Sequence, residues 1–99
     1  MKRAVLLLAL VACGPAVGPR GVTAADAIVK LESNVRDAQV YVDGRFIAPL
    51  DALGGGVAVE PGIHRFELRH DDYFSRYLEL TLTRAERRTV SMEMAPILP

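Results

Sequence analysis

The sequence His64-Arg65-Phe66-Glu67-Leu68-Arg69 alternates apolar or aromatic side chains with charged ones, with a period of two. Because successive side chains of a β-strand point to opposite faces, this period predicts one row in a core and one row in solvent. The same period recurs on both sides of this stretch, at 29–32, 40–43, 78–83 and 90–94. No segment has a long helical period, so the sequence predicts an all-β domain.

Turn-forming residues separate the predicted strands. Asp43-Gly44 suits a tight hairpin, which needs positive φ, and Pro61-Gly62 suits a turn before the next strand. Arg84 to Arg87 form a short polar connection. We therefore expect a small antiparallel β-sandwich, or a sandwich-like open barrel, of about six or seven short strands over residues 28–95, with a tail at 96–99.

The N-terminal residues have the composition of an export signal. Lys2 and Arg3 precede an apolar run at 4–12, which is shorter than the roughly 20 residues that span a bilayer. The following residues, 13–27, are rich in glycine and proline and lack an apolar period. They predict a flexible tether between this signal and the folded domain.

Cys13 is the single cysteine of the chain and directly follows the apolar run. An exported protein with one unpaired thiol would risk intermolecular disulfides, which favours a chemical use for this residue. The tetrad Leu10-Val11-Ala12-Cys13 resembles a bacterial lipobox, which implies that residues 1–12 are removed and Cys13 is acylated. Gly14, where an aspartate would retain the protein in the inner membrane, favours an outer-membrane location, facing the periplasm or the cell surface. An ordinary signal peptide is the alternative.

The part of the chain after residue 12 has room for one small domain of 87 residues. Without Lys2 and Arg3 it has ten basic and twelve acidic side chains, a net charge of −2. A nucleic-acid partner would require a basic face, so this balance argues against one.

Four segments resemble the PEGA domain of bacterial envelope proteins, and together they span about 28–94. They are 33–44 with Val-Tyr-Val-Asp-Gly at its end, Ala48-Pro49-Leu50, Pro61-Gly62-Ile63-His64 and Asp72-Tyr73. This chain departs from the pattern, since Val35 and Asp37 replace the proline and glycine of the eponymous turn, Ala48 replaces threonine and Asp72 replaces glycine. The resemblance implies a β-sandwich that serves as an accessory or interaction module.

No set of residues has the spacing of a catalytic or metal site. His64 shares the parity of Phe66 and Leu68, which favours a core-facing histidine that is hydrogen-bonded near a strand end. His70-Asp71-Asp72 is the only cluster of ligand-like side chains, and we interpret it as a solvated turn because strand neighbours point apart. Gly54-Gly55-Gly56 lacks the lysine of a phosphate loop and predicts a mobile loop. We expect no enzyme, no metal and no cofactor except covalent lipid on Cys13.

Two groups of residues are candidate contacts for a ligand or partner. By parity Tyr41 and Tyr77 face solvent, where they could stack on a sugar ring or pack across strands. Arg84, Arg87 and Arg88 form a basic turn, which we interpret first as a solvated hairpin end. The resemblance places Tyr73 inward, whereas strict alternation places it with Tyr77; a β-bulge near Phe74 would reconcile the two.

These observations favour a non-catalytic interaction or scaffold lipoprotein, attached to a membrane by its lipid, that holds another envelope protein by a sheet edge or a loop. A peptidoglycan-binding or other glycan-binding module that uses the two tyrosines and the arginine turn is the alternative. A hydrolase or metal enzyme built on residues 70–72 is a third, which a chain this short can hardly enclose.

Overall fold

The computed structural model describes residues 15–19 and 21–98. The predicted signal peptide, residues 1–12, and Cys13 lie outside the described residues. Within the described ranges the chain forms strands and one short 3-10 turn, Leu50–Ala52, which confirms the predicted all-β class. The strands are β1 Ala27–Glu32, β2 Gln39–Val42, β3 Arg45–Pro49, β4 Val57–Val59, β5 Gly62–His70, β6 Tyr73–Leu82 and β7 Arg87–Ser91. No described helix has the length and apolar character required to cross a membrane.

The strands form two sheets. One has four antiparallel strands in the order β3-β2-β5-β6, and the other has three in the order β4-β1-β7. The prediction of a wholly antiparallel fold is wrong at β7, which runs parallel to β1, with Leu31 opposite Val90. The turn after β6 explains the difference. Ala85 has a φ of 59° and donates its N–H to the carbonyl of Ala25, so the chain passes to the other sheet instead of returning as a hairpin.

The core lies between the sheets and is built from the apolar rows that the period of two predicts. Phe66 and Leu68 of β5 are fully buried with Val29 of β1 from the opposite sheet. Two buried methionines, Met92 and Met94, follow β7 and belong to the same core. The chain then reaches the start of β6, where Pro96 pairs with Tyr73.

The local turn predictions agree with the structure at two positions. Asp43 and Gly44 both have positive φ, 52° and 82°, as the predicted β2–β3 hairpin requires. The β5–β6 register shifts between Leu68 and His70, and this irregularity near Phe74 reconciles the two placements of Tyr73. As a result Tyr73 packs against the core, whereas Tyr77 is 48% exposed on the other side of the sheet.

The contacts of the folded part reach into residues 13–27, the predicted tether. Val17 donates its N–H to the carbonyl of Gly56 at 3.0 Å and accepts the N–H of Ala58 at 2.8 Å. It thus lies along the outer edge of β4 as a short parallel bridge to Val57. The expectation of a mobile glycine loop is corrected at Gly56, which is buried and closes against β1.

Candidate functional site

The solvent-facing side of the four-stranded sheet, which we call the outer face, carries a row of large side chains. Strand register places Phe46 opposite Tyr41, Tyr41 opposite Glu67, and Glu67 opposite Tyr77. The two tyrosines predicted as contacts therefore share one face, on either side of β5. The row is a consequence of pairing between strands that are distant in sequence.

Each tyrosine of the row is covered by an arginine from β5. The guanidinium carbon of Arg69 lies 4.0 Å from the ring centroid of Tyr41, and that of Arg65 lies 4.1 Å from the centroid of Tyr77. These are cation–π distances. Phe46 meets Tyr41 edge-on, with ring centroids 5.6 Å apart. Since stacking on a sugar requires a free ring face, the arginines reduce what both tyrosines can offer to a glycan.

Glu67 organises the centre of the outer face. Although it points away from the core, it is only 6% exposed because the neighbouring long side chains cover it. Its carboxylate accepts two hydrogen bonds from Arg69, at 2.6 Å from Nε and 3.3 Å from Nη2. The hydrogen bond to Glu67 raises the pKa of the Arg69 guanidinium above its ordinary value. Sequence alternation predicts Glu67 on this face but gives no sign of its burial.

His64 lies in a cleft of about 370 Å³ at the end of the sandwich where the β2–β3 hairpin meets β4. Its Nδ1 is 2.6 Å from a carboxylate oxygen of Asp43, and its Nε2 is 2.7 Å from the carbonyl oxygen of Glu60. The second oxygen of Asp43 accepts the backbone N–H of Arg65 at 2.9 Å. The predicted hydrogen-bonded histidine near a strand end is therefore present, but its side chain is 17% exposed at the cleft and not enclosed in the core.

The pKa of Asp43 is lowered in this cleft. Partial burial alone would raise it, but the N–H of Arg65 and the ring of His64 stabilise the carboxylate more strongly and bring its pKa below the ordinary 3.8. Asp43 thus joins the hairpin turn to β5 through both of its oxygens. This arrangement is a structural clamp.

His70 has a local role. Its Nε2 lies 3.1 Å from a carboxylate oxygen of Asp37, and its Nδ1 accepts the backbone N–H of Asp72 at 3.1 Å. The ring also packs edge-on against Tyr73, with centroids 5.2 Å apart. Asp71 lines the same polar groove as His70, but Asp72 contributes only its backbone N–H there. Among residues 15–19 and 21–98 no three histidine, cysteine or acidic side chains are grouped so that they could hold a metal.

Of the three arginines in the predicted basic turn, Arg88 makes hydrogen bonds within the fold. Arg88 donates to Glu86 at 2.9 Å from Nε and approaches the carbonyl of Thr81 at 3.4 Å. Glu86 also accepts the N–H of Thr83, and these two hydrogen bonds, that of Thr83 first, lower its pKa. Arg84 and Arg87 are exposed. The turn joins the two sheets and lies outside the row of the outer face.

The free edge of β6 is a feature that the sequence does not indicate. Arg65 donates its N–H to the carboxylate of Asp43 and accepts the N–H of Asp43, so both of its backbone groups point to the β2 side of β5. Glu79, which is opposite Arg65, therefore directs its backbone groups away from β5. By alternation Tyr77 and Thr81 do the same, and the contact of the Thr81 carbonyl with Arg88 agrees. In the described part of the chain no backbone partner pairs with these outward groups of Tyr77 and Glu79.

Comparison with known proteins gives no match. No family model matches this chain, and no curated protein and no solved structure matches it significantly.

Proposed function

We propose that this protein is a lipid-anchored, non-catalytic interaction module of a bacterial cell envelope, with a PEGA-like β-sandwich that holds a partner protein at the open edge of β6. The lipobox-like tetrad ending at Cys13 supports the anchor. The observation that carries the proposed binding mode is the outward direction of the backbone groups of Tyr77 and Glu79. An extended segment of a partner adds to such an edge through main-chain hydrogen bonds.

The charged side chains of β6 favour a contact that only some partner strands can make. Exposed edges are a risk for aggregation, and charged side chains along them restrict which strands can pair. β6 carries Arg76 and Glu79, both exposed, and its start is covered by Ala95, which accepts the N–H of Phe74 at 2.8 Å. The part of the strand from Tyr77 to Glu79 thus remains available to a short extended segment, since the Thr81 carbonyl already accepts a hydrogen bond from Arg88.

Glycan binding is the second candidate. The position of Tyr41 and Tyr77 on one face favours it. The arginines over both rings weigh against it, because a sugar would have to displace Arg65 and Arg69 from their cation–π positions.

Substitution of Glu79 by proline tests the proposed edge. Proline lacks the N–H of residue 79 that points outward, so it blocks strand addition without removing a hydrogen bond between β5 and β6. The matched control is Glu79→Thr, which removes the same carboxylate and keeps the N–H. Each variant would carry a photo-cross-linking residue in place of Arg76 in the full lipidated protein, expressed in its own cell envelope.

We expect a discrete protein adduct with wild type and with Glu79→Thr, and its loss with Glu79→Pro. An adduct that persists with Glu79→Pro contradicts binding through this edge. Co-sedimentation of the full protein with protein-free peptidoglycan that is lost on changing Tyr41 and Tyr77 to alanine would instead establish the glycan function.

A further inference from the structure

The position of Val17 indicates which side of the domain lies nearest the proposed lipid anchor at Cys13. Val17 is held to β4 by two backbone hydrogen bonds, from its N–H to Gly56 and to its carbonyl from Ala58. Three residues, 14–16, lie between it and Cys13, so four Cα-to-Cα steps join the two. Because a chain spans at most about 3.6 Å per residue, Cys13 lies within roughly 14 Å of the edge of β4.

The β4 edge of the three-stranded sheet and the β6 edge of the four-stranded sheet lie on opposite sides of the sandwich. β6 and β7 are joined by the short turn at 83–86, and the chain after β7 returns to β6 where Pro96 pairs with Tyr73. β3 and β4 are joined by the segment 50–56, and Pro19, Asp43 and Ala58 line one cleft. The β3 and β4 edges therefore share the side on which Val17 lies, and β6 is on the far side.

We propose that the β4 edge of this domain, together with the segment 50–56, rests on the bilayer surface, and that the β6 edge faces away from it. This rests on the proposed lipid at Cys13. An acylated cysteine is held at the boundary of the hydrocarbon, beneath a headgroup layer of roughly 5–8 Å. Crossing that layer takes roughly 5–8 Å of the 14 Å reach, and the remaining roughly 6–9 Å keeps the β4 edge at the headgroups.

The width of the sheets prevents the opposite orientation. The far edge of the three-stranded sheet is three strand spacings from Val17, roughly 14 Å, before side chains are counted. A connection of four Cα-to-Cα steps cannot both cross the headgroups and pass around this width. Val17, 38% exposed, adds an apolar side chain on the side that faces lipid. The domain thereby presents β6 to partners in the aqueous compartment.

Tryptophan fluorescence can test the orientation, because the chain has no tryptophan of its own. Ala52→Trp places a reporter on the exposed part of segment 50–56, and Glu79→Trp places one on the far edge. Asp51→Trp, also exposed, is a second reporter on the near side in case the first variant does not fold. Each lipidated full-length variant would be reconstituted in vesicles of phosphatidylethanolamine and phosphatidylglycerol that contain a lipid with a nitroxide on its headgroup.

We expect the reporter at 52 or 51 to lose most of its emission and the reporter at 79 to keep it. Insertion of about ten Gly and Ser residues between Ala16 and Val17, which adds roughly 17 Å, should restore the near-side emission. Equal quenching at both edges, or none at either, in a protein with acylated Cys13 overturns the orientation and leaves the anchor intact. Absence of acyl groups on Cys13 by mass spectrometry overturns the anchor and the orientation together.

Discussion

At the scale of the residue, two glycines with similar backbone angles are under different constraints. Gly44 has a φ of 82° and open space around it, whereas Gly56 has a φ of 92° and faces β1. A Cβ added to Gly56 would lie 2.9 Å from Cγ2 of Ile28 and 3.0 Å from the carbonyl oxygen of Val29. Gly44→Ala should therefore cost about 1–2 kcal/mol from backbone strain alone, and Gly56→Ala clearly more. Urea unfolding of both variants measures the two losses of stability, and equal losses would contradict the close packing of Gly56.

A second residue-scale prediction concerns Asp43, whose carboxylate accepts hydrogen bonds from the backbone of Arg65 and the ring of His64. Because its pKa is lower in the folded state than the ordinary 3.8, ionised Asp43 stabilises the fold above that pH. The contribution is lost as the pH falls through the folded-state pKa. Asp43→Asn should lower the urea midpoint at pH 7, and the difference from wild type should shrink below about pH 4. A difference that stays constant down to pH 2 would show that Asp43 acts without its charge.

At the scale of the element, β6 has one bonded side and one open side. Glu79 directs its N–H outward, and Leu80, which is 8% exposed, is opposite His64 and directs its N–H toward β5. We expect Glu79→Pro to fold with nearly the thermal midpoint of wild type. Leu80→Pro should lose about 3 kcal/mol or more, from an orphaned carbonyl of β5 and the buried leucine side chain. Thermal midpoints measured by circular dichroism distinguish the two variants. Similar midpoints would mean that the N–H of Glu79, and not that of Leu80, points toward β5.

At the scale of the whole molecule, Asn34 joins two distant parts of the chain. Its side chain donates to the carbonyl of Met94 at 3.0 Å and accepts the N–H of Met94 at 2.9 Å. This pair holds the segment after β7 against the loop between β1 and β2. We expect Asn34→Ala to cost about 1–2 kcal/mol in urea unfolding, since it removes two hydrogen bonds. Asn34→Asp keeps the acceptor and loses the donor, so its free energy of unfolding should lie between those of wild type and Asn34→Ala. A greater loss of stability than with alanine would implicate charge repulsion at the Met94 carbonyl.

The local sequence predicts which tyrosines lie on the outer face, but it does not predict how the side chains of that face are aligned. Parity places Tyr41 and Tyr77 toward solvent because alternation is a property of a single strand. Their alignment on either side of Glu67, with Arg65 and Arg69 over the rings, depends on the registers of three strands. Register is set by long-range pairing, which no local pattern specifies.

The sequence by itself determined the all-β class, the inward rows that include Phe66 and Leu68, and the turn at Asp43-Gly44. These follow from side-chain alternation and from the φ angles that turn residues allow, both of which are local. Only the tertiary structure decided the parallel pairing of β7 with β1, the contact of Val17 with β4 and the position of β6 at an open edge. All three features depend on which backbone N–H and C=O groups find partners in distant parts of the chain. Such long-range pairing is a property of the whole fold.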